Sequence, residues 1–185
     1  MLRIRFKLML ALLISAFVFA FGAQELRATT LTYIVGTCKA GTQFTTIQSA
    51  LNKTPLANVI EVCPGTYPEQ LTIINAVTLE GIMSGNSSAI RITPPAAGLA
   101  TNGTINNGEP AAIHVFVKNA TGAVNLTNLI VDSTNNKVPV DVFLVGVLYQ
   151  HSPGTVNHVI ATHQQANGIG FERPGSAIAR GGRAR

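Results

Sequence analysis

An all-β fold, a single-stranded parallel solenoid entered through a short N-terminal capping helix, is predicted by three features of this sequence. Residues 59 to 81 hold three short β-branched runs, Val59 to Val62, Leu71 to Ile74 and Val77 to Leu79, parted by turn chemistry at Pro64-Gly65 and Asn75. The gaps between the runs are short and carry no Asn-Gly or Asp-Gly signal, so the chain turns corners around a coil instead of doubling back. Composition agrees, because 46% hydrophobic residues, only 11% charged residues, 17 glycines and no tryptophan suit many short strands and tight turns.

The wording of this region carries a resemblance. Phe44-Thr-Thr-Ile-Gln-Ser-Ala-Leu51, Ile60-Glu-Val-Cys-Pro-Gly-Thr-Tyr-Pro-Glu69 and Val77-Thr-Leu-Glu-Gly81 resemble the entry helix and first coil of pectinesterases and other right-handed parallel β-helix proteins of the pectin lyase-like superfamily. The resemblance is good over about residues 31 to 81 and looser beyond. It implies a right-handed parallel β-helix, and it says less about a reaction than about a fold.

Taken in order, Met1 to Lys7 is a basic n-region, Leu8 to Phe21 an apolar run, and Ala20-Phe-Gly22 a set of small residues suited to signal peptidase. Residues 1–22 are therefore expected to be a secretory signal peptide, cleaved after Gly22 or Ala23. The other reading is a membrane anchor, for which the run falls short of the ~20 residues a bilayer demands. No later stretch is long and apolar enough to span, so the exported chain is expected to be secreted or extracytoplasmic and free of the membrane. Its 185 residues allow one core and are too few for two ordinary domains, so residues 23–171 are read as one β-helix domain, complete or shortened.

Leu31 to Val35 reads as an edge strand, followed by the turn-rich Gly36 to Gly41. From Phe44 the period changes to that of a helix: Phe44, Ile47 and Leu51 share a face, Thr45-x-x-Gln48 matches a capping box, and Pro55 stops the run. Such a helix either covers the open end of the solenoid or lies as an ordinary surface helix. Further strands are expected at Ala89 to Thr93, Ile113 to Val117, Val124 to Asp132, Val142 to Tyr149, Thr155 to Ala161 and Ile169 to Phe171, with a turn-rich insertion over residues 94 to 110. Asparagines at coil corners suit left-handed backbone geometry and stacked side-chain hydrogen bonds. After Phe171 the sequence loses apolar periodicity, and residues 172–185 are expected to be a disordered basic tail. An uncapped last coil would allow end-to-end self-association.

The formal charge of +5 sits at the two ends. Between Ala23 and Glu172, six lysines and arginines stand against eight acids, a net charge of −2, so no nucleic-acid partner is expected. Cys38 and Cys63 are the only cysteines, and in an oxidising compartment they are expected to form a disulfide, the alternative being two buried thiols. No cofactor and no metal are expected. Two thiols without a nearby histidine do not make a zinc site, and His158 and His163, five apart, would face opposite sides of a straight strand.

Polysaccharide hydrolysis or elimination needs carboxylates or a metal on one face, and Asp132 and Asp141 are the only aspartates. The pectinesterase resemblance would place a catalytic carboxylate in a Gln-Asp-Thr motif, a second in Asp-Phe-Ile-Phe-Gly and an arginine in an Arg-Pro pair. Here Asp132 follows Val131, Asp141-Val-Phe-Leu-Val-Gly146 is one residue longer, and Arg173-Pro174 lacks the tryptophan that follows in the family. Asp132, Asp141 and Arg173 are the candidates if the chain is an enzyme, while Glu69 matches an early motif that reads as structural. Two functions follow: an extracellular β-helix module that contacts a polysaccharide or a partner along a strand face without catalytic motifs of its own, or a carbohydrate-active enzyme on an acidic polysaccharide.

Overall fold

The computed structural model describes residues 30–83, 90–105, 108–165, 167–172, 177–180 and 183–184; the expected signal peptide lies outside them. The first coil contains β3 (Val59–Val62), β4 (Gly65–Pro68) and β5 (Leu71–Ile73). It is preceded by β1 (Thr32–Val35), β2 (Thr42–Phe44) and helix α1 (Ile47–Leu51). The second coil holds β6 (Val77–Gly81), β7 (Ile90–Thr93) and, after β8 (Gly103–Ile105), the long strand β9 (Glu109–Lys118). Then come β10 (Val124–Asp132), β11 (Phe143–Gln150), β12 (Gly154–Thr162), β13 (Ile169–Glu172), β14 (Ala177–Arg180) and β15 (Arg183–Ala184).

Strands one coil apart pair in parallel, which makes a three-faced parallel β-helix. The first face stacks β2, β1, β3, β6 and the first halves of β10 and β12. The second stacks β4 and β7 on the second half of β10, which continues onto the second half of β12. The third stacks β5, β9, β11 and β13. Strands β10 and β12 belong to two faces because each bends midway, at Asn128 with φ 57° and at His158 with φ 51°. Asparagine reaches this left-handed region at low cost, and its use at a coil corner matches the sequence expectation. The same device recurs at the corner that leads from the third face back to the first, with Asn119 and His151 at φ 46° and 48°.

Inward-facing residues alternate with outward-facing ones, as in Leu71–Ile73 and Val77–Gly81, so every coil adds Val, Ile and Leu to one continuous core. The third face extends beyond the triangular section. The first half of β9 pairs antiparallel with β8 through a hairpin that includes Gly108, and two satellite clusters, around Phe116 and around Leu144, cover its surfaces. The turn-rich insertion expected over residues 94 to 110 thus contains a strand and the start of another.

Helix α1 packs Ile47, Ala50 and Leu51 inward at the entry end. The capping signal falls one residue later than Thr45: the Thr46 hydroxyl accepts from the Ser49 N–H, and Phe44 closes β2 instead of opening the helix. Beneath it, β5 is the terminal strand of its sheet, and Gln48 answers its backbone as a strand would. The Thr72 N–H donates to Gln48 Oε1 at 2.9 Å and Gln48 Nε2 donates to the Thr72 carbonyl at 3.1 Å. Cys38 and Cys63 are joined in a disulfide that ties the β1–β2 connection to the first coil. Strand β1 is not an edge, since β2 pairs outside it.

Of the segment expected to be a disordered basic tail, only Glu172, Ala177–Arg180 and Arg183–Ala184 are among the described residues. Ala177–Arg180 and Arg183–Ala184 pair in parallel with Gly154–Asn157 and with Ile160–Ala161, adding part of a coil to β12. Short residues and arginines carry no apolar periodicity, yet an open strand edge offers backbone partners to any extended segment that follows. Among the described residues, no helix is long and apolar enough to cross a membrane.

Candidate functional site

Polar side chains gather where the second face turns into the third. Asp132 ends β10 in register with Thr162, while Arg91 lies on β7 opposite Ile130, so the guanidinium reaches diagonally along the face to the carboxylate. Arg91 Nη1 donates to Asp132 Oδ2 at 2.7 Å. The other oxygen, Oδ1, accepts the Thr134 hydroxyl at 2.6 Å, the Thr134 N–H at 3.1 Å and His163 Nδ1 at 2.8 Å. A carboxylate only accepts, so the His163 proton sits on Nδ1. Burial pushes the Asp132 pKa up, but the hydrogen bonds from Thr134, His163 and Arg91 outweigh it and hold the carboxyl well below the ordinary carboxylate range. The result is an ionised group with both oxygens engaged, which makes it an organising anion of the corner more than a base waiting for a proton.

Behind this cluster lies His114, fully buried on β9. Its Nε2 stands 3.0 Å from the Glu69 carbonyl and its Nδ1 3.0 Å from the Ser133 hydroxyl. The carbonyl can only accept, so Nε2 carries the proton and Nδ1 takes the Ser133 hydroxyl's hydrogen. Burial pushes its pKa down, against smaller opposing effects from the Thr93 and Glu69 backbone and from Asp132. Gly146, in the neighbouring coil, leaves no room for a side chain, as a Cβ there would lie 2.5 Å from the Gly168 carbonyl oxygen.

The other sequence candidates do not join Asp132. Asp141 is exposed in the turn before β11 and takes no part in the cluster. Arg173 lies outside the described residues. Among the described residues, no three His, Cys, Asp or Glu side chains gather as metal ligands. Sequence reasoning missed Arg91 and Thr134, and it weighed His163 only as a metal ligand. Only Thr134, two residues from Asp132 in an Asp-Ser-Thr turn, left a local signal. His163 follows a strand that bends at His158 instead of running straight, and both histidines take left-handed backbone, with φ 62° and 51°.

A second surface is the exterior of the first face, where polar side chains stack from coil to coil. Asn125 Nδ2 donates to the Thr78 hydroxyl at 3.3 Å, and the Thr155 hydroxyl donates to Asn125 Oδ1 at 2.8 Å. Two positions along, Glu61, Glu80, Thr127 and Asn157 form a parallel file in register. All four are half-buried. The surface is therefore a polar grid with rungs about 4.8 Å apart.

A three-faced stack of parallel coils with a capping helix and corner asparagines is that of the right-handed parallel β-helix proteins with the pectin lyase-like fold. Among solved structures, a substituted pectin methylesterase in complex with a hexasaccharide superposes with a TM-score of 0.59 at 18% identity, over 85% of this chain and 50% of that one. Pectin methylesterase PemA from Erwinia chrysanthemi does so with a TM-score of 0.51 at 17% identity, over 76% of this chain and 45% of that one. The chain spans half or somewhat less of the length of these structures. No family model matches the sequence, and no curated protein does.

Proposed function

We propose that this chain is an extracellular β-helix module that contacts polysaccharide along its first face and has no catalytic machinery of its own. The observation that carries the proposal is the Thr78–Asn125–Thr155 ladder beside the file of Glu61, Glu80, Thr127 and Asn157. Amide, hydroxyl and carboxylate groups fixed at a regular spacing suit the repeated hydroxyls of a sugar chain, and their ordering within a sheet lowers the entropy lost on binding. Against catalysis stands Asp132, whose oxygens are both committed within the protein. An exported location is supported by the basic and apolar leader sequence and by the disulfide.

The second reading, an enzyme acting on an acidic polysaccharide, is favoured by the likeness to pectin methylesterases, one of them solved with a hexasaccharide. Affinity electrophoresis against neutral and acidic polysaccharides, run beside assays for methanol release and uronate elimination, tests both. Retardation that weakens at least tenfold in an Asn125→Ala, Thr155→Ala double variant, with neither product released, is the expected result. Methanol release that disappears in Asp141→Asn would establish the enzyme reading instead, and no retardation by any polysaccharide would remove the first.

A further inference from the structure

A cavity of about 330 Å³ opens at the entry end of the solenoid, away from the Asp132 cluster, and none of the polar groups described above lines it except Thr72. Its apolar wall is made by Leu51, Ala57, Ile60, Ile73 and Val77, all members of the main core. The helix therefore leaves part of the core reachable from solvent. Leu56 and Ile74, 47% and 52% exposed, stand in the same lining. Large aliphatic side chains at that exposure, side by side around one opening, keep apolar surface in water unless something covers it.

The walls are fixed on both sides. The paired hydrogen bonds of Gln48 with Thr72 hold helix α1 against β5, and the Tyr33 hydroxyl donates to the Pro55 carbonyl at 2.6 Å, which pins the segment bearing Thr54, Leu56 and Ala57. Asn52, Thr54, Thr72 and Asn75 supply the polar part of the lining, and no charged and no aromatic residue belongs to it. A preformed pocket that offers uncharged polar and aliphatic surface in about equal measure defines its ligand by fit. A charged group would be desolvated there without a counter-charge, whereas a ligand with one polar end and one aliphatic end matches both kinds of surface.

We infer that this cavity binds a small uncharged amphiphile, an unbranched or lightly branched aliphatic chain ending in a hydroxyl or carbonyl group. At ~30 Å³ per water-sized group the volume holds about ten such groups, enough for a chain of roughly eight carbons with its head.

The test is methyl-detected NMR of the purified, disulfide-bonded protein titrated with the straight-chain alcohols from butanol to decanol. Saturable shifts confined to the methyls of Leu51, Leu56, Ile60, Ile73, Ile74 and Val77 are expected. Affinity should rise about fourfold per added methylene, the factor that corresponds to ~0.8 kcal/mol per buried CH₂, and level off near eight carbons. Hexanoate should bind at least tenfold more weakly than hexanol. The Leu56→Ser, Ile74→Ser variant, altered only at half-exposed positions, should keep the wild-type spectrum elsewhere and lose at least fivefold in hexanol affinity. Shifts scattered over methyls outside the cavity, an affinity independent of chain length, or hexanoate binding as well as hexanol would each overturn the assignment.

Discussion

The Glu69 carboxylate caps helix α1 from twenty-two residues away: its two oxygens accept the Ile47 N–H at 2.7 Å and the Gln48 N–H at 2.8 Å. A short helix has little stability of its own, and its first N–H groups lack partners within it. The anion that follows β4 supplies them, which ties the cap to the first coil. Glu69→Ala should lower stability by about 2 kcal/mol, the upper range for a lost cap, and Glu69→Gln by less because one acceptor survives. Urea unfolding of both variants checks this, and an Ala variant as stable as wild type would mean that the helix is held by its apolar face alone.

Reduction of the Cys38–Cys63 disulfide should destabilise the protein by about 3 kcal/mol, since the bridge removes loop entropy from the unfolded chain. Denaturant midpoints with and without reductant give the difference. Native protein that alkylates at two cysteines would show that the bridge does not form in solution.

Much of the helix was legible because short β-branched runs alternate their side chains: β3, β5, β6, β10 and β12 stand where such runs predict them. Strand β4 was not, because Gly65 and Pro68 read as breakers although they only bound Tyr67, the inward residue of a short strand. The candidate site was legible only as residue types. Asp132 could be named, but Arg91 and His163 lie 41 and 31 residues away, and unequal insertions between coils hide the register that stacks them. Corner geometry was readable at asparagine and unreadable at His151, His158 and His163, whose left-handed backbone has no compositional signature.

Gly154→Ala should be among the most damaging single changes in the chain. A Cβ at that position would lie 1.8 Å from the Val124 carbonyl oxygen, a backbone atom on the paired strand, so the coil spacing itself must open. A cost of about 3 kcal/mol or more is expected, against ~1 kcal/mol for Gly108→Ala, where only the left-handed φ of 88° resists and nothing lies within 4 Å. Thermal unfolding of the two variants separates steric from conformational cost. Equal losses would contradict the close stacking of β10 and β12.

Acid should weaken the protein in two stages. His114 is neutral in the fold with its pKa pushed down, so the unfolded chain binds the proton more readily, and its contribution, present above about pH 6.5, is lost as pH falls below that value. Asp132 is held ionised with its pKa well below the ordinary range, so its contribution is present above about pH 4 and is lost as pH drops further. Each group contributes a slope of at most ~1.4 kcal/mol per pH unit. Urea midpoints measured from pH 8 to pH 3 should fall in both windows. His114→Asn should flatten the upper window and Asp132→Asn the lower one, and an unchanged profile in either variant would refute the assignment for that group.

The tail strands β14 and β15 lie on the outer edge of β12, and their backbone groups occupy the side that a further coil would use. Removing residues 173–185 strips those partners from Gly154–Ala161 and leaves parallel-strand N–H and C=O groups open to a second copy. The truncated protein is therefore expected to associate end to end even at low salt. The full chain should associate less, because β14 and β15 cover that edge and the segment carries four arginines, Arg173, Arg180, Arg183 and Arg185, whose like charge opposes the meeting of two copies. Salt should erode this protection, since the screening length falls from ~10 Å at 0.1 M to ~3 Å at 1 M. Light scattering on both chains across a salt series decides the matter. A truncated chain that stays monomeric at every ionic strength would mean that β12 is protected by its own geometry, and that the arginines have no part in keeping the last coil single.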